Sequence, residues 1–464
     1  MKTLCSLLAF LLLPVAVHAS EGTKRTKPNI LVIVADDLGY GDIGIHGGET
    51  VPTPNIDKLA KSGVRCTNGY VSAPYCSPSR AGLLTGRYQT RFGHEFNPHV
   101  GLEGKLGLPL DQRTIANLLR SAGYATGLVG KWHQGFSKDH HPQARGFDDF
   151  FGFLVGGHNY AMRSDAKPKF GSAMAQNVIH RGREIVQPDG FATDVFTDEA
   201  VGFMKRNKEK PWFLYLAYNA VHTPLEFDPR LKNRVPSGVT DTARRGYLAL
   251  LLGLDDAVGR IMTHLQQSGA DRDTLVIFIS DNGGAGLFPF LAYNTGINFP
   301  LRGNKGQTLE GGIRVPFFVA WPGRLPAGKT YDHPVIALDI LPTACALAGA
   351  KTPANIDGVN LMPHLLGEKN EPPHDALFWR FGPQKAVRKG NWSLVDHRDF
   401  EKKTNSGWEL YDLANDIGQK RNLAGANPKV VADLTQAWQR WDSQNIAPLW
   451  HGSPTEDPTA PKKK

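Results

Sequence analysis

Ile30-Leu31-Val32-Ile33-Val34 is an unbroken apolar run, β-branched at four of its five positions, and it leads into Asp36-Asp37. A run of this length with a polar break at its end reads as a strand buried on both faces, the habit of parallel sheets. Three other runs repeat the pattern. Ala125 to Val129 ends in Gly130-Lys131-Trp132-His133, and Trp212 to Leu216 is followed by Asn219 and His222-Thr223-Pro224. Leu275 to Ile279 ends in Ser280-Asp281-Asn282-Gly283-Gly284. Helical patterns lie between them, over Asn55 to Ser62, Thr114 to Ser121, Asp194 to Asn207 and Tyr247 to Ser268. The alternation predicts an α/β fold, a large and mostly parallel sheet flanked by helices on both faces. Such sheets bind ligands outside the carboxyl ends of their strands. One polar strand end is a cap or a turn; four on one rim make a site.

Further along, a helical pattern through Leu338 to Leu347 is followed by Lys351-Thr352-Pro353, which places the large domain at 28–350. Ala376 to Phe381, Ala386 to Val395 and Trp408 to Leu413 then read as strands, and Lys429 to Trp441 as a helix. They predict a small C-terminal antiparallel sheet packed by one helix, over 351–450. Residues 451–464 are rich in Pro and Lys and read as a disordered basic tail. At the other end, Lys2 precedes the apolar run Leu4 to Val17, and Val17-His18-Ala19 offers a small-x-small cleavage site. That is the form of a signal peptide over 1–19, too short to span a membrane. With no transmembrane segment after it, the expected location is secreted or periplasmic, or lumenal in a eukaryote. In that last case Asn391-Trp392-Ser393 is a glycosylation acceptor.

Hydrophobic residues make up 41% of the 464, enough for a large core and too many for a disordered chain. A net charge of +9 favours an acidic partner. No basic stripe interleaved with aromatics accompanies it, so nucleic acid is not the expected one. Four cysteines cannot make a disulfide scaffold in this length. Removing the signal peptide leaves Cys66, Cys76 and Cys345, an odd number, so at least one has a task other than intrachain pairing. Pairing of Cys66 with Cys345 depends on their distance.

Asp36, Asp37, Asp281 and Asn282 are hard oxygen donors on two strand ends. Carboxylates gathered at one point repel and stay ionised only with a cation among them. All-oxygen ligation suits Ca²⁺, or less well Mg²⁺, and disfavours zinc. Four donors leave Ca²⁺ underfilled, so another group must complete its shell. Cys76-Ser77-Pro78-Ser79-Arg80 opens a helix, with Pro78 in its first turn and Ala81 to Leu84 continuing it. Cys76 thus lies at the positive end of a helix dipole, with Arg80 one turn on. A buried structural cysteine and a low-pKa thiolate nucleophile both fit that position.

Cys76-Ser77-Pro78-Ser79-Arg80, followed by Ala81-Gly82-Leu83-Leu84-Thr85-Gly86-Arg87, closely resembles the signature of the type I, formylglycine-dependent sulfatases of the alkaline-phosphatase-like superfamily. The resemblance continues in order through Gly123 to His133, His222-Thr223-Pro224, Ser280 to Gly283, Arg302 to Gly306, Glu310 to Pro316 and Glu409 to Leu413. Two positions depart from the family pattern: Tyr75 replaces a smaller residue before the cysteine, and Gln134 replaces the leucine common after Trp-His. The resemblance implies that Cys76 is oxidised to formylglycine (3-oxoalanine) by a sulfatase-maturing enzyme. It further implies that residue 76 joins Asp36, Asp37, Asp281 and Asn282 around one Ca²⁺, and that its hydrate attacks sulfur. By the same resemblance Arg80 pins the hydrate, Lys131 and Lys305 offset the sulfate charge, His222 protonates the leaving oxygen, and His133 takes the proton that releases sulfate.

Loops between these motifs hold groups suited to sugars: Arg91, His94, Glu95, Asn97, His99, His158, Asn159, Tyr160 and Arg302. His94, Glu95, His158 and Arg302 are the first candidates for substrate binding. A secreted, basic sulfatase fits a sulfated carbohydrate. Two other readings are a phosphodiesterase or phosphonate hydrolase of the same superfamily, and a glycan-binding pseudoenzyme in which Cys76 is never oxidised.

Overall fold

The computed structural model describes residues 27–98, 106–163, 178–286, 295–399, 402 and 404–452. The segment expected to be a signal peptide, His99 and the tail from 453 lie outside the described residues.

The first apolar run forms the strand Asn29–Ala35, buried at all seven positions. It pairs in parallel with Trp212–Ala217 on one side and Thr274–Ser280 on the other. Ala125–Lys131 and Asp149–Phe153 extend the parallel set. The full sheet has ten strands, in the order Lys329–Tyr331, Val64–Cys66, Phe317–Ala320, Thr274–Ser280, Asn29–Ala35, Trp212–Ala217, Ala125–Lys131, Asp149–Phe153, Ile179–Arg181 and Glu184–Val186. It is parallel through its centre. Antiparallel pairs begin at Phe317–Ala320 on one flank and Ile179–Arg181 on the other, which makes the whole sheet mixed.

Alternation along the central strand explains why both faces are covered. Leu31, Ile33 and Ala35 share one core with Ile56 and Leu59, Phe196 and Phe203, and Leu251 and Val258. Those residues belong to the helices Pro54–Lys61, Ala192–Arg206 and Thr242–Gln267. Ile30, Val32 and Val34 face the opposite way, into a core with Leu83, Ile115, Leu118, Ile340 and Cys345. The helices on that side are Cys76–Thr85, Ile115–Ser121 and Ile340–Ala348. Cys66 and Cys345 are both buried on this side as free thiols.

Past residue 350, Leu361, Met362 and Leu365 pack in the core with Ile340 and Cys345. The small sheet begins at Leu377–Phe381 and continues antiparallel through Gln384–Lys389, Trp392–Asp396 and Glu409–Asp412. The single run expected over Ala386 to Val395 is therefore a hairpin, turned at Gly390-Asn391. Gly390 adopts φ 56°, open to glycine without strain. The helix Pro428–Asp442 covers the sheet. Trp379, Val387 and Leu410 share a core with Tyr70, Tyr88 and Leu338 of the large domain, so the two sheets are fused through side chains.

One helix is capped across the fold. Thr53 precedes Pro54–Lys61 but makes no side-chain cap. Asp255, fully buried on the long helix Thr242–Gln267, instead accepts the Asn55 and Ile56 amides at 3.0 and 2.8 Å and the Asn55 side-chain amide at 2.8 Å. Asp255→Ala strands those donors and is expected to lower stability by about 2 kcal/mol. A urea melt should show a lower midpoint at nearly unchanged slope, and Asp255→Asn should recover part of the loss.

Candidate active site

The carboxyl ends of the four predicted strands converge. Asp36 and Asp37 follow Asn29–Ala35, and Asp281 and Asn282 follow Thr274–Ser280. One oxygen from each of Asp36, Asp37 and Asp281 lies within 4.8 Å of the others. The Asp37 amide donates to Asp281 Oδ1 at 3.2 Å, and Asn282 Nδ2 donates to Asp37 Oδ1 at 2.7 Å. Asp37 takes φ 60° to reach this position. Left-handed backbone at a non-glycine residue is tolerated where the surroundings enforce it, and it gathers at functional sites.

Three cations balance the carboxylates. Lys131 Nζ, at the end of its strand, lies 2.6 Å from Asp36; Lys305 Nζ lies 2.7 Å from Asp37. Arg80 meets Asp281 at 2.8 Å and stands 3.7 Å from Asp36. Arg80, Lys131 and Lys305 are all buried, so these pairs act at low dielectric. Burial raises Asp36 to about 7 against the pull of Lys131 and Arg80. Burial also pushes Asp37 up, but Lys305, His222 and Lys131 together outweigh it and hold the carboxyl well below the usual range.

Cys76 is the first residue of the helix Cys76–Thr85, and its Sγ lies 3.8 Å from Asp36 Oδ1. Burial lifts the thiol to about 12 despite Lys131 and Lys305 beside it. Burial thus works against a thiolate at this helix end. Ser77 anchors the turn: its amide donates to Asn97 Oδ1 at 3.0 Å, and its hydroxyl lies 2.7 Å from His94 Nε2. Gln134 is wholly buried and donates to the Ser77 carbonyl at 2.9 Å, so it braces the cysteine turn and does not shape a substrate surface. Tyr75 stacks on Phe381 with ring centroids 5.6 Å apart, and Lys305 Nζ lies 5.0 Å from the Tyr75 ring centre.

Two histidines complete the cluster. His222 Nδ1 lies 2.6 Å from the Thr223 carbonyl, which assigns the ring proton to Nδ1 and leaves Nε2 facing Asp37 at 3.8 Å. Burial, with Lys305 and Lys131 nearby, pushes His222 down to about 3. His133, at φ 57°, is held well below the usual imidazole range by burial and then by Lys131 and Arg80. Sequence reading missed the backbone that seats both rings. A methyl group on Gly156 would fall 2.8 Å from His133 Cε1, and one on Gly157 would fall 3.3 Å from His222 Cε1. The Gly156-Gly157 pair was the available signal, since adjacent glycines allow close backbone approach.

Three of the four first substrate-binding candidates sit apart from solvent. His94 is fully buried beside Ser77. Glu95 is buried and accepts Arg380 Nη2 at 2.8 Å and the Gly382 amide at 2.8 Å. His158 packs on Phe153, with Nδ1 2.6 Å from the Asn159 carbonyl. Arg302 keeps a partly exposed side chain but is tied to Tyr411 at 2.8 Å and to Glu409 at 3.4 Å. Tyr160 is also buried, its hydroxyl 2.6 Å from the Asn219 carbonyl and 2.8 Å from that of His222, where it holds the histidine turn in place.

The donor set fits a hard divalent cation. Asn282 Oδ1 is buried without a hydrogen-bond partner among the described residues, next to the three carboxylates. An acidic cluster with one orphaned amide oxygen can hold a metal ion, and all-oxygen chemistry selects calcium or magnesium over zinc.

A sulfatase family model matches residues 28–350. The chain belongs to the sulfatase family. A second model, described as N-sulphoglucosamine sulphohydrolase, C-terminal, matches residues 304–444. Human arylsulfatase A is 34% identical over 458 residues, covering 88% of this chain and 86% of that protein. Human N-acetylgalactosamine-6-sulfatase is 33% identical, covering 88% and 78%. The crystal structure of Ps i-CgsB in complex with k-i-k-neocarrahexaose superimposes with a TM-score of 0.84 at 38% identity, over 91% of this chain and 94% of that one. This sulfatase is thus a hydrolase of sulfate esters with the alkaline-phosphatase-like fold.

If Glu95 serves the fold and not the substrate, Glu95→Ala leaves Arg380 with Asp442 as its remaining carboxylate partner, strands the Gly382 amide, and costs about 2 kcal/mol. Thermal melts should show that loss, while KM for an aryl sulfate, measured well below the melting range, stays unchanged.

Proposed function

We propose that this sulfatase is exported and acts on a sulfated carbohydrate, with Cys76 oxidised to formylglycine and Ca²⁺ bound by Asp36, Asp37, Asp281 and Asn282. The observation that carries the reading is the packing of Cys76 Sγ 3.8 Å from an Asp36 carboxylate that is itself paired with Lys131. Export is supported by the apolar run Leu4 to Val17; among the described residues no helix is long and apolar enough to cross a membrane. The carbohydrate assignment is supported by the likeness to Ps i-CgsB, whose structure holds a neocarrahexaose.

Sulfate-ester hydrolysis needs charge neutralisation, a strong nucleophile and a proton for the leaving oxygen. The hydrated aldehyde and the bound cation supply, respectively, a hydroxyl nucleophile and Lewis-acid charge. The chain's own groups do the rest. Lys131 and Lys305 set positive charge against the sulfate oxygens, and burial makes that charge count. Arg80, locked by Asp281, fixes the position of residue 76. His222 presents Nε2 toward the leaving oxygen; an anionic ester among these lysines offsets the field that holds the ring neutral and favours its protonated form. His133, kept neutral by burial and by the same cations, has a ring nitrogen free to accept the proton whose removal from residue 76 frees sulfate. Comparing aryl sulfate with aryl phosphodiester turnover measures how strongly the site prefers the sulfate.

Mass spectrometry of the peptide carrying residue 76 should show the aldehyde in active protein; a retained thiol at full activity overturns the proposal. Chelation by EGTA should abolish turnover, and added Ca²⁺ should restore it more fully than Mg²⁺. His222→Ala is expected to lower kcat by about 10²–10⁴-fold on esters with poor leaving groups. Activated aryl sulfates should suffer less, because their leaving oxygen needs no proton. Equal losses on both would remove His222 from the acid role.

A further inference from the structure

The strand Gln384–Lys389 serves two places. At its near end, Gln384 Nε2 donates to the Gly306 carbonyl at 2.7 Å, beside the catalytic Lys305. Arg388 lies four residues on, on the same side of the strand, which places it roughly 13 Å further away at the usual rise per residue. It is 5% exposed, and its Nε and Nη1 have no hydrogen-bond partner among the described residues. The neighbouring buried arginines differ. Arg380 is paired with Glu95 and Asp442, and Arg314 with Glu310 and the Thr67 carbonyl. A guanidinium removed from water with open donors is costly unless something anionic meets it.

Arg388 faces a cavity of about 690 Å³ between the small sheet and the large domain, whose walls also include Arg314, His374, Lys389 and Trp392. Burial pulls His374 down, but Asp339, 2.8 Å from its Nε2, more than offsets this and raises it above an ordinary histidine. Two carboxylates border the cavity and both are engaged: Asp375 with Lys389 at 2.8 Å, and Asp332 with the Thr67 hydroxyl at 2.6 Å. The volume lies within the range of small-molecule sites, far above the needs of one inorganic oxoanion. Trp392, Leu377 and Leu413 add apolar wall of the kind that suits the face of a sugar ring.

We infer that this cavity is a second binding site, remote from catalysis, for an oxoanion-bearing saccharide unit whose anionic group is met by Arg388. Such a site retains a polyanionic chain on the enzyme while another of its sulfates is hydrolysed at the first site. It does not depend on the state of residue 76.

The test uses the full chain carrying Cys76→Ala, which cannot turn over, titrated calorimetrically with a defined sulfated disaccharide, its unsulfated counterpart and sodium sulfate. The sulfated disaccharide should fill two sites per chain. Adding Arg388→Gln should weaken one of them by about tenfold or more, and Arg388→Lys should weaken it less. With Cys76 intact, Arg388→Gln should leave aryl sulfate turnover unchanged, a result that stands apart from failure of the catalytic reading. A single site, or two sites indifferent to Arg388→Gln, overturns the inference. So does equal binding of the unsulfated sugar, or equally tight filling of that site by sulfate alone. A sharp fall in the melting midpoint of Arg388→Gln would assign the arginine to the fold and overturn it too.

Discussion

Three carboxylates held within one small sphere are the constraint around which this molecule is built. At 4.8 Å, two ionised groups repel by about 3 kcal/mol at an effective dielectric near 20. Asp36, Asp37 and Asp281 stay together because Lys131, Lys305 and Arg80 are delivered to the same point from three other segments. Delivery depends on strand order. Only with Asn29–Ala35 between Thr274–Ser280 and Trp212–Ala217, and Ala125–Lys131 next beyond, do the aspartates, Lys131 and the His222 turn end on one rim. The compensation is incomplete, since burial still raises Asp36 to about 7. That residual strain, together with the orphaned Asn282 oxygen, is what a divalent ion would relieve.

Much of this was legible from the chain alone, for a physical reason. A strand buried on both faces has no freedom in composition, so its apolar run and its polar end are both visible, and the four central strands appear within a residue or two. The cysteine helix was legible in Pro78 and the run Ala81 to Leu84, and the cationic partners through the family resemblance; the family model matches 28–350. What escaped was whatever depends on contact between distant segments. His94 and Glu95 look like sugar ligands in sequence because they are polar and lie in a loop; one is consumed by Ser77 and the other by Arg380. The hairpin at Gly390-Asn391 was read as one strand because both arms carry strand-like residues and the turn is only two residues long. Gly156-Gly157 drew no attention, because what they do is leave room for rings that arrive from elsewhere.

The small sheet is as much a wall of the carboxylate cluster as the large one. Phe381 supports Tyr75, Tyr75 lies against Lys305, and Lys305 holds Asp37. Arg380 closes on Glu95 in the loop behind the cysteine turn, and Gln384 fixes the glycine after Lys305. Tyr75 and Gln134, the two departures from the family pattern, are both absorbed into this bracing.

Cys76 is 2% exposed in the finished fold, sealed by the braced turn on one side and the aspartates on the other. An agent that modifies its sulfur has to reach it while those contacts are open. Lys305 and Phe381, which help to close them, lie more than two hundred residues further along the chain, so access to residue 76 is governed by segments made long after it.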